Sequence, residues 1–160
     1  MRGGKASLFD GGTRVPFIVS QPGHIKSGES DALVSHVDFY ASFAAMTGHA
    51  LSKDEAPDSF DVLNALTGKS AYGRNELVVE GTQAKTVLRQ DNWTFIPPYD
   101  GPKINVKNLE TGNSSENQLY DLSQDIGQIR NLAKERTDIV RKMSDRLRSI
   151  RASASTRPLR

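Results

Sequence analysis

The chain has 160 residues, of which 36% are hydrophobic and 25% are charged, with a net charge of +2 and no cysteine. This length and composition suit one ordinary domain, or the end of one domain with a small second one, and they exclude a disordered chain. The absence of cysteine excludes a disulfide framework and a cysteine-ligated metal site, and no apolar run is long enough to span a bilayer.

Positive charge is concentrated in the last part of the sequence. From Arg130 onward there are ten Lys and Arg against three Asp and Glu, whereas the preceding residues have eleven against sixteen. Two interpretations remain open: a solvated helix face, which is the commoner use of such a pattern, or a basic helix that docks on an anionic glycan, an acidic protein or nucleic acid.

The first half of the chain predicts one strand and two helices. The apolar run at residues 15–19 follows a glycine-rich turn and is typical of a strand covered on both faces in a parallel sheet. Ser35 and Asp38 have the spacing of a capping box, and Gly48 can end the helix that follows. The apolar stripe of this helix comprises Phe39, Phe43 and Met46. A second, shorter helix is predicted from Asp58 to Gly68.

The second half changes to a strand pattern after the polar segment at residues 69–75. Strands are predicted at residues 77–80, 86–89, 93–96 and 118–122, with Asp91 and Asn92 in a tight hairpin. Residues 97–117 form a long loop rich in Pro, Gly and Asn, of the kind that is often functional. A final helix is predicted from about Asp138 to Arg151, with Thr137 as its N-cap. Its apolar stripe comprises Ile139, Met143, Leu147 and Ile150.

One segment near the beginning has a distinctive pattern: Gly3-Gly4-Lys5, then Asp10-Gly11-Gly12-Thr13-Arg14-Val15-Pro16. Taken alone, a lysine beside two glycines is a weak indication of an anion site, and an ordinary exposed lysine is the simpler interpretation. The segment lacks the Gly-Lys-Ser/Thr of a phosphate-binding loop and the glycine spacing of a dinucleotide-binding turn.

This segment is followed by Pro22-Gly23-His24-Ile25 and, far downstream, by Leu119-Tyr120-Asp121-Leu122 and Asn131-Leu132. In this order the motifs resemble the C-terminal part of a formylglycine-dependent sulfatase of the arylsulfatase type, in the alkaline-phosphatase-like superfamily. The resemblance implies an α/β fold class: the C-terminal end of an alkaline-phosphatase-like α/β sandwich, with a small antiparallel sheet subdomain and a packed C-terminal helix. Residues 1–72 would end the large domain, residues 73–155 would form the small subdomain, and residues 156–160 would be a tail.

The resemblance also implies a role for Lys5, which matches the family lysine that contacts the substrate sulfate. An ammonium group against a sulfate oxygen forms a charge-assisted hydrogen bond. Asp10 stands where the family usually has Glu, and we interpret Asp10 and Arg14 as an ion pair that braces the turn. Thr94 and Gln128 are further departures, since Lys and Glu are usual there.

The catalytic nucleophile and the metal ligands are not assigned to this sequence. The resemblance implies that formylglycine and calcium belong to polypeptide upstream of Lys5. The chain has no cysteine, and its nearest serine match to the formylglycine motif, Ser20-Gln21-Pro22, continues to His24 where the motif has Arg. We expect surface or structural roles for the three histidines, His24, His36 and His49. Helix-start or turn roles are expected for four aspartates: Asp58, Asp61, Asp121 and Asp125.

The predicted function is that of the C-terminal portion of a sulfuric ester hydrolase. We expect this portion to be inactive alone and to bind a sulfate-ester substrate only together with the upstream part. Two alternatives remain: a non-catalytic module that binds anionic glycan or protein, and a fragment of a phosphodiesterase or phosphonate hydrolase of the same superfamily. We expect no nucleic-acid partner and no membrane partner. Export to the periplasm or the cell exterior would fit a full-length relative.

Overall fold

The computed structural model describes residues 1–153 and 155–157. They divide into two compact units. The first contains Met1–Pro16 and Val78–Ser149, and the second contains Phe17–Leu77 and the residues from Ile150 onward. The division predicted at residue 72 concerns the domains of a complete enzyme and stays a prediction.

A four-stranded sheet in the order β1-β2-β3-β4 follows the sequence order. Its strands are β1 (Glu76–Glu80), β2 (Thr86–Gln90), β3 (Trp93–Ile96) and β4 (Gln118–Asp121). Strands β2 and β3 are antiparallel with Gln90 opposite Trp93, and β3 and β4 are antiparallel with Thr94 opposite Tyr120. Asp91 in the β2–β3 turn has a φ of 51°, in the left-handed region that Asp tolerates. The four predicted strands and the tight hairpin are confirmed.

The core of the first unit joins the sheet to the beginning of the chain. It contains Leu8, Phe9, Val87, Ile96 and Tyr120, all buried. The Phe9 and Tyr120 rings meet edge to face with centroids 6.0 Å apart, a favourable aromatic geometry. The segment that begins at Lys5 is therefore anchored in the sheet core within four residues.

Helix α3 (Thr137–Ala152) begins one residue before the predicted start, so that Thr137 lies in its first turn. Its stripe is confirmed, because Met143, Leu147 and Ile150 are buried. Arg141 and Lys142 lie on the exposed side. Neither α3 nor any other helix in the described part of the chain has the length and hydropathy needed to cross a bilayer.

The beginning of the predicted tail makes defined contacts within the second unit. The backbone N–H and the hydroxyl of Thr156 both donate to Asp58 Oδ1 at 2.9 Å. Arg157 Nη2 donates to the carbonyl of Glu55 at 2.6 Å. Residue 154 and residues 158–160 lie outside the described residues.

A buried carboxylate organises the second unit. Asp38, which is 0% exposed, accepts hydrogen bonds from the N–H groups of Ser35 and Phe60, each at 3.0 Å. Arg74 Nη1 lies 3.3 Å from Asp38 Oδ1, and the Arg74 guanidinium stacks 4.4 Å from the centre of the Phe60 ring. Burial lowers the pKa of Arg74, and the Asp38 carboxylate opposes this shift. The predicted role of Asp38 at the helix start is confirmed.

Helix α1 (Phe39–Thr47) follows a 3₁₀ turn at His36–Asp38 and ends at Gly48, as predicted. Helix α2 (Leu63–Leu66) is shorter than predicted, because it begins at Leu63 instead of Asp58. The N–H groups of Phe60 and Val62 are hydrogen bonded to the side chains of Asp38 and Ser42. These bonds hold residues 59–62 in an irregular conformation, since side-chain acceptors compete with a helical one.

The strand predicted at residues 15–19 is wrong. These residues are irregular and exposed, and Ile18 is 87% accessible. A strand needs a neighbour to satisfy its backbone groups, and none of the described residues pairs with this segment.

Several large apolar side chains of the second unit are exposed, and we call this set the apolar face. It consists of Phe17, Ile18, Tyr40, Phe43 and Met46, which are between 50% and 87% accessible. Phe39 stacks between Phe17 and Phe43, with ring centroids 5.4 and 5.7 Å away. The stripe predicted on α1 therefore exists, but two of its three residues lie at the surface.

We predict that Asp38→Ala lowers the free energy of unfolding by about 3–5 kcal/mol, because it leaves Arg74 buried without its counter-charge. Urea denaturation of the variant and the parent chain measures this difference. Asp31→Ala, at an exposed position, should change it by less than about 0.5 kcal/mol. A loss below about 1 kcal/mol for Asp38→Ala would contradict the role given to the pair.

Candidate functional site

Residues 2–12 form a closed loop, which we call the lysine loop because Lys5 lies at its tip. The Gly11 N–H donates to the carbonyl of Arg2 at 2.9 Å and closes the neck of the loop. Two further bonds stiffen its interior: Ser7 N–H to the Gly4 carbonyl and Gly12 N–H to the Phe9 carbonyl, each at 2.8 Å. The backbone on both sides of Lys5 is thus held by hydrogen bonds.

The two glycines at the neck are required by close packing. A Cβ atom at Gly11 would lie 2.5 Å from the carbonyl oxygen of Arg2, and one at Gly12 would overlap the carbonyl of Ser7. Both neighbours are backbone atoms, which cannot move without opening the loop. The doubled glycine of the motif therefore allows the neck to close.

Lys5 itself is exposed and sits in a turn in which Ala6 has a φ of 77°. Across the residues that the structure describes, its ammonium group forms no ion pair with a carboxylate. An exposed ammonium on a fixed backbone can meet an incoming anion without first breaking an internal ion pair.

Arg2 fixes the first end of the lysine loop through hydrogen bonds from all three nitrogen atoms of its guanidinium group. Its Nε and Nη2 atoms donate to the two carboxylate oxygens of Glu110 at 2.8 and 2.6 Å, and Nη1 donates to the carbonyl of Gln128 at 2.7 Å. The guanidinium also stacks 4.1 Å from the centre of the Phe9 ring. The hydrogen bond from Arg2 lowers the pKa of Glu110, and the same bond raises the pKa of Arg2.

Asp10 fixes the second end of the loop. Its carboxylate oxygen Oδ2 lies 3.8 Å from Arg14 and 3.6 Å from Arg89, and its backbone N–H donates to Gln128 Oε1 at 2.7 Å. The predicted Asp10–Arg14 pair is present. Arg89 and Gln128 were not predicted as members of this cluster, because they are separated from Asp10 by 79 and 118 residues in the sequence.

The predicted long loop folds back as an irregular hairpin beside the lysine loop. Ile104 bridges to Glu110, and the Asn105 side chain accepts hydrogen bonds from the N–H groups of Lys107 and Leu109. The hairpin contacts the lysine loop through the Arg2–Glu110 pair and through a bond from Leu8 N–H to the Thr111 carbonyl at 2.8 Å. Its tip, with Val106 fully exposed, therefore projects from a base that is fixed to the lysine loop.

The remaining candidate residues lie outside this cluster. His24, His36 and His49 are exposed, in agreement with the surface roles expected of them. Asp61 accepts from Leu63 N–H at 3.0 Å, and Asp125 accepts from Ile129 N–H at 2.7 Å, as expected of helix-start and turn residues. Among residues 1–153 and 155–157, no group of three or more His, Cys, Asp or Glu side chains could hold a metal ion.

Comparison with known proteins identifies the family. The sulfatase family model matches residues 1–49. The chain is 39% identical over 151 residues to an N-acetylgalactosamine-6-O-sulfatase of Bacteroides thetaiotaomicron. The aligned region covers 94% of this chain and 30% of that protein. It is 26% identical to mouse arylsulfatase K, over 91% of this chain and 26% of the relative. A solved sulfatase structure from work on glycosaminoglycan metabolism by Bacteroides thetaiotaomicron superposes with a TM-score of 0.91 at 38% identity, over 95% of this chain and 32% of that one.

The chain belongs to the sulfatase family and corresponds to the C-terminal part of these enzymes. It spans between about a quarter and a third of the length of these three relatives. Its fold is the C-terminal end of an alkaline-phosphatase-like α/β structure with a small antiparallel sheet and a C-terminal helix, as the resemblance implied.

We predict that Gly12→Ala destabilises the first unit by about 1–3 kcal/mol, because the new methyl group must displace the Ser7 carbonyl. Urea denaturation, with hydrogen exchange at the Gly11 amide as a local measure, tests this. Gly28→Ala is the matched control, because a Cβ there meets no atom within 4 Å. Equal stabilities for the two variants would refute the packing argument.

The ion pair between Arg2 and Glu110 predicts that the free energy of unfolding depends on pH. Because the pKa of Glu110 is lowered in the folded chain, the pair stabilises above the ordinary Glu pKa of about 4.3 and is lost as the pH falls through the lower, folded value. Glu110→Gln should therefore cost stability at pH 7, by at most about 1 kcal/mol for so exposed a pair, and nothing below both pKa values. Unfolding free energies of both proteins between pH 7 and pH 2 test this, and a constant difference would contradict it.

Proposed function

We propose that this chain is the C-terminal portion of an enzyme that hydrolyses sulfate esters, and that Lys5 binds the sulfate group of the substrate. The observation that carries the proposal is the lysine loop: a backbone closed at its neck, anchored in the sheet core, with an exposed ammonium group at its tip. Such a group donates charge-assisted hydrogen bonds to an oxyanion, each contributing about 1.5–3 kcal/mol. The contribution to rate is larger if the bond tightens as charge develops on the sulfate during cleavage.

The nucleophile and the metal would come from other polypeptide. A lysine alone supplies neither an attacking group nor a Lewis acid, and the described residues lack a metal-binding cluster. We propose that calcium and a formylglycine nucleophile belong to the preceding part of the enzyme. The 160-residue chain should then be inactive alone.

The apolar face supports the proposal that the chain is part of a larger protein. Large apolar patches on a soluble protein usually mark an interaction surface. Phe17, Phe43 and Met46 together leave aromatic and thioether groups at least half exposed on one unit. The remaining two thirds of a sulfatase polypeptide would cover such a face.

The hairpin at residues 102–111 is the proposed wall of the substrate entrance, because its base is fixed against the lysine loop. Its exposed residues include Ile104, Val106 and Lys107, which can contact a sugar ring and a second anionic group. We propose a sulfated saccharide as the substrate class, in keeping with the relative named an N-acetylgalactosamine-6-O-sulfatase. Export of the full-length protein is part of this proposal, because large sulfated glycans are met outside the cell.

We predict that Lys5→Ala, made in the full-length polypeptide that contains residues 1–160, lowers kcat/KM for a sulfate ester by about 10- to 150-fold, the equivalent of about 1.5–3 kcal/mol. Steady-state kinetics with an aryl sulfate and with a sulfated oligosaccharide measure this. Lys26→Ala, at another exposed lysine, is the control and should leave both rates unchanged.

Undiminished sulfate-ester turnover by the Lys5→Ala enzyme would remove the role given to this lysine. A parent enzyme that hydrolyses phosphate diesters and no sulfate ester, and that loses this activity on Lys5→Ala, would instead favour a different chemistry on the same fold.

A further inference from the structure

Gln128 is the most unusual polar residue of the first unit. It lies in the turn region that follows β4, it is 0% exposed, and its backbone φ of 51° is in the left-handed region that few residues other than glycine adopt. Its N–H donates to the carbonyl of Asp125 at 3.0 Å, which closes the turn around it. A buried side chain of this kind, held in a strained backbone conformation, is typical of a position with a specific task.

Gln128 binds both ends of the lysine loop. Its side-chain oxygen Oε1 accepts the Asp10 N–H at 2.7 Å, and its backbone carbonyl accepts the Arg2 guanidinium at 2.7 Å. Arg2 and Asp10 flank the neck that the Gly11 N–H closes. One residue from a distant part of the sequence is therefore hydrogen bonded to both chain segments that form the neck of the loop.

The clamp is short and buried, which makes it effective. Both hydrogen bonds lie at the short end of the usual range, and the Asp10 bond is shielded from water, so that losing the acceptor would leave a buried N–H unsatisfied.

We infer that Gln128 is a positioning residue of the sulfate site, which acts through the lysine loop to fix the Lys5 ammonium. This inference rests on the proposed function of Lys5. Removal of the Oε1 acceptor frees Asp10, loosens the neck and lets Lys5 sample positions away from the sulfate. The effect is on the placement of Lys5, and no direct contact of Gln128 with substrate is involved.

A double-mutant cycle in the full-length polypeptide tests the inference. Gln128→Ala should lower kcat/KM for a sulfate ester about tenfold in the parent enzyme but less than twofold in the Lys5→Ala enzyme, because a residue that acts through Lys5 has nothing left to position there. Equal factors in the two backgrounds would overturn the inference and leave the role of Lys5 intact. A Lys5→Ala enzyme with full activity would instead refute the proposed function.

Three further variants separate positioning from folding. Gln128→Met keeps the side-chain volume and removes the acceptor, so it should reproduce the kinetic loss even if Gln128→Ala fails to fold. Gln128→Glu keeps an acceptor oxygen at this position and should retain most of the kcat/KM of the parent enzyme. Gln124→Ala, at an exposed glutamine of the same turn region, should have no effect. A normal rate for Gln128→Met, or a Glu variant no better than the Met variant, would contradict the clamp.

Discussion

The hydrogen bond from the Gly11 N–H to the Arg2 carbonyl determines the rest of the candidate site. It can form only because neither Gly11 nor Gly12 has a Cβ atom, and it turns residues 2–12 into a loop with a narrow neck. Leu8 and Phe9 then enter the sheet core, while Lys5 is left at the tip in solvent. The burial of two large apolar side chains thus holds a charged side chain outside, which is the arrangement that anion binding needs.

In the described part of the chain, each compact unit contains a buried carboxylate that accounts for much of its loop structure. Asp10 meets Arg14 and Arg89 in the first unit, and Asp38 meets Arg74 in the second. Buried ion pairs add little net stability, because desolvation offsets most of their attraction, but the loss of one partner is costly. Their effect here is on specificity of structure: each carboxylate, or the backbone beside it, ties segments that are far apart in the sequence to one position.

Local patterns in the sequence predicted the elements whose causes are local. The strands, the Asp91 turn, the stripe of α3 and the part played by Asp38 all depend on residues a few positions apart. The clamp by Gln128 could not be predicted, because no spacing relates it to Asp10, although its departure from the usual Glu marked the position. The strand expected at residues 15–19 failed for a different reason: its apolar pattern suits burial in a sheet, and the described residues supply no strand to pair with it.

The most direct test of this account is a crystal structure of a catalytically inactive variant of the full-length polypeptide with a sulfated saccharide substrate bound. We predict that Lys5 Nζ lies about 2.7–2.9 Å from a sulfate oxygen, with the neck closed between Gly11 and Arg2 and with Gln128 against Asp10. A sulfate held by other residues, with the Lys5 ammonium turned to solvent and the loop unchanged, would contradict the central claim that the lysine loop exists to present a cation to the substrate.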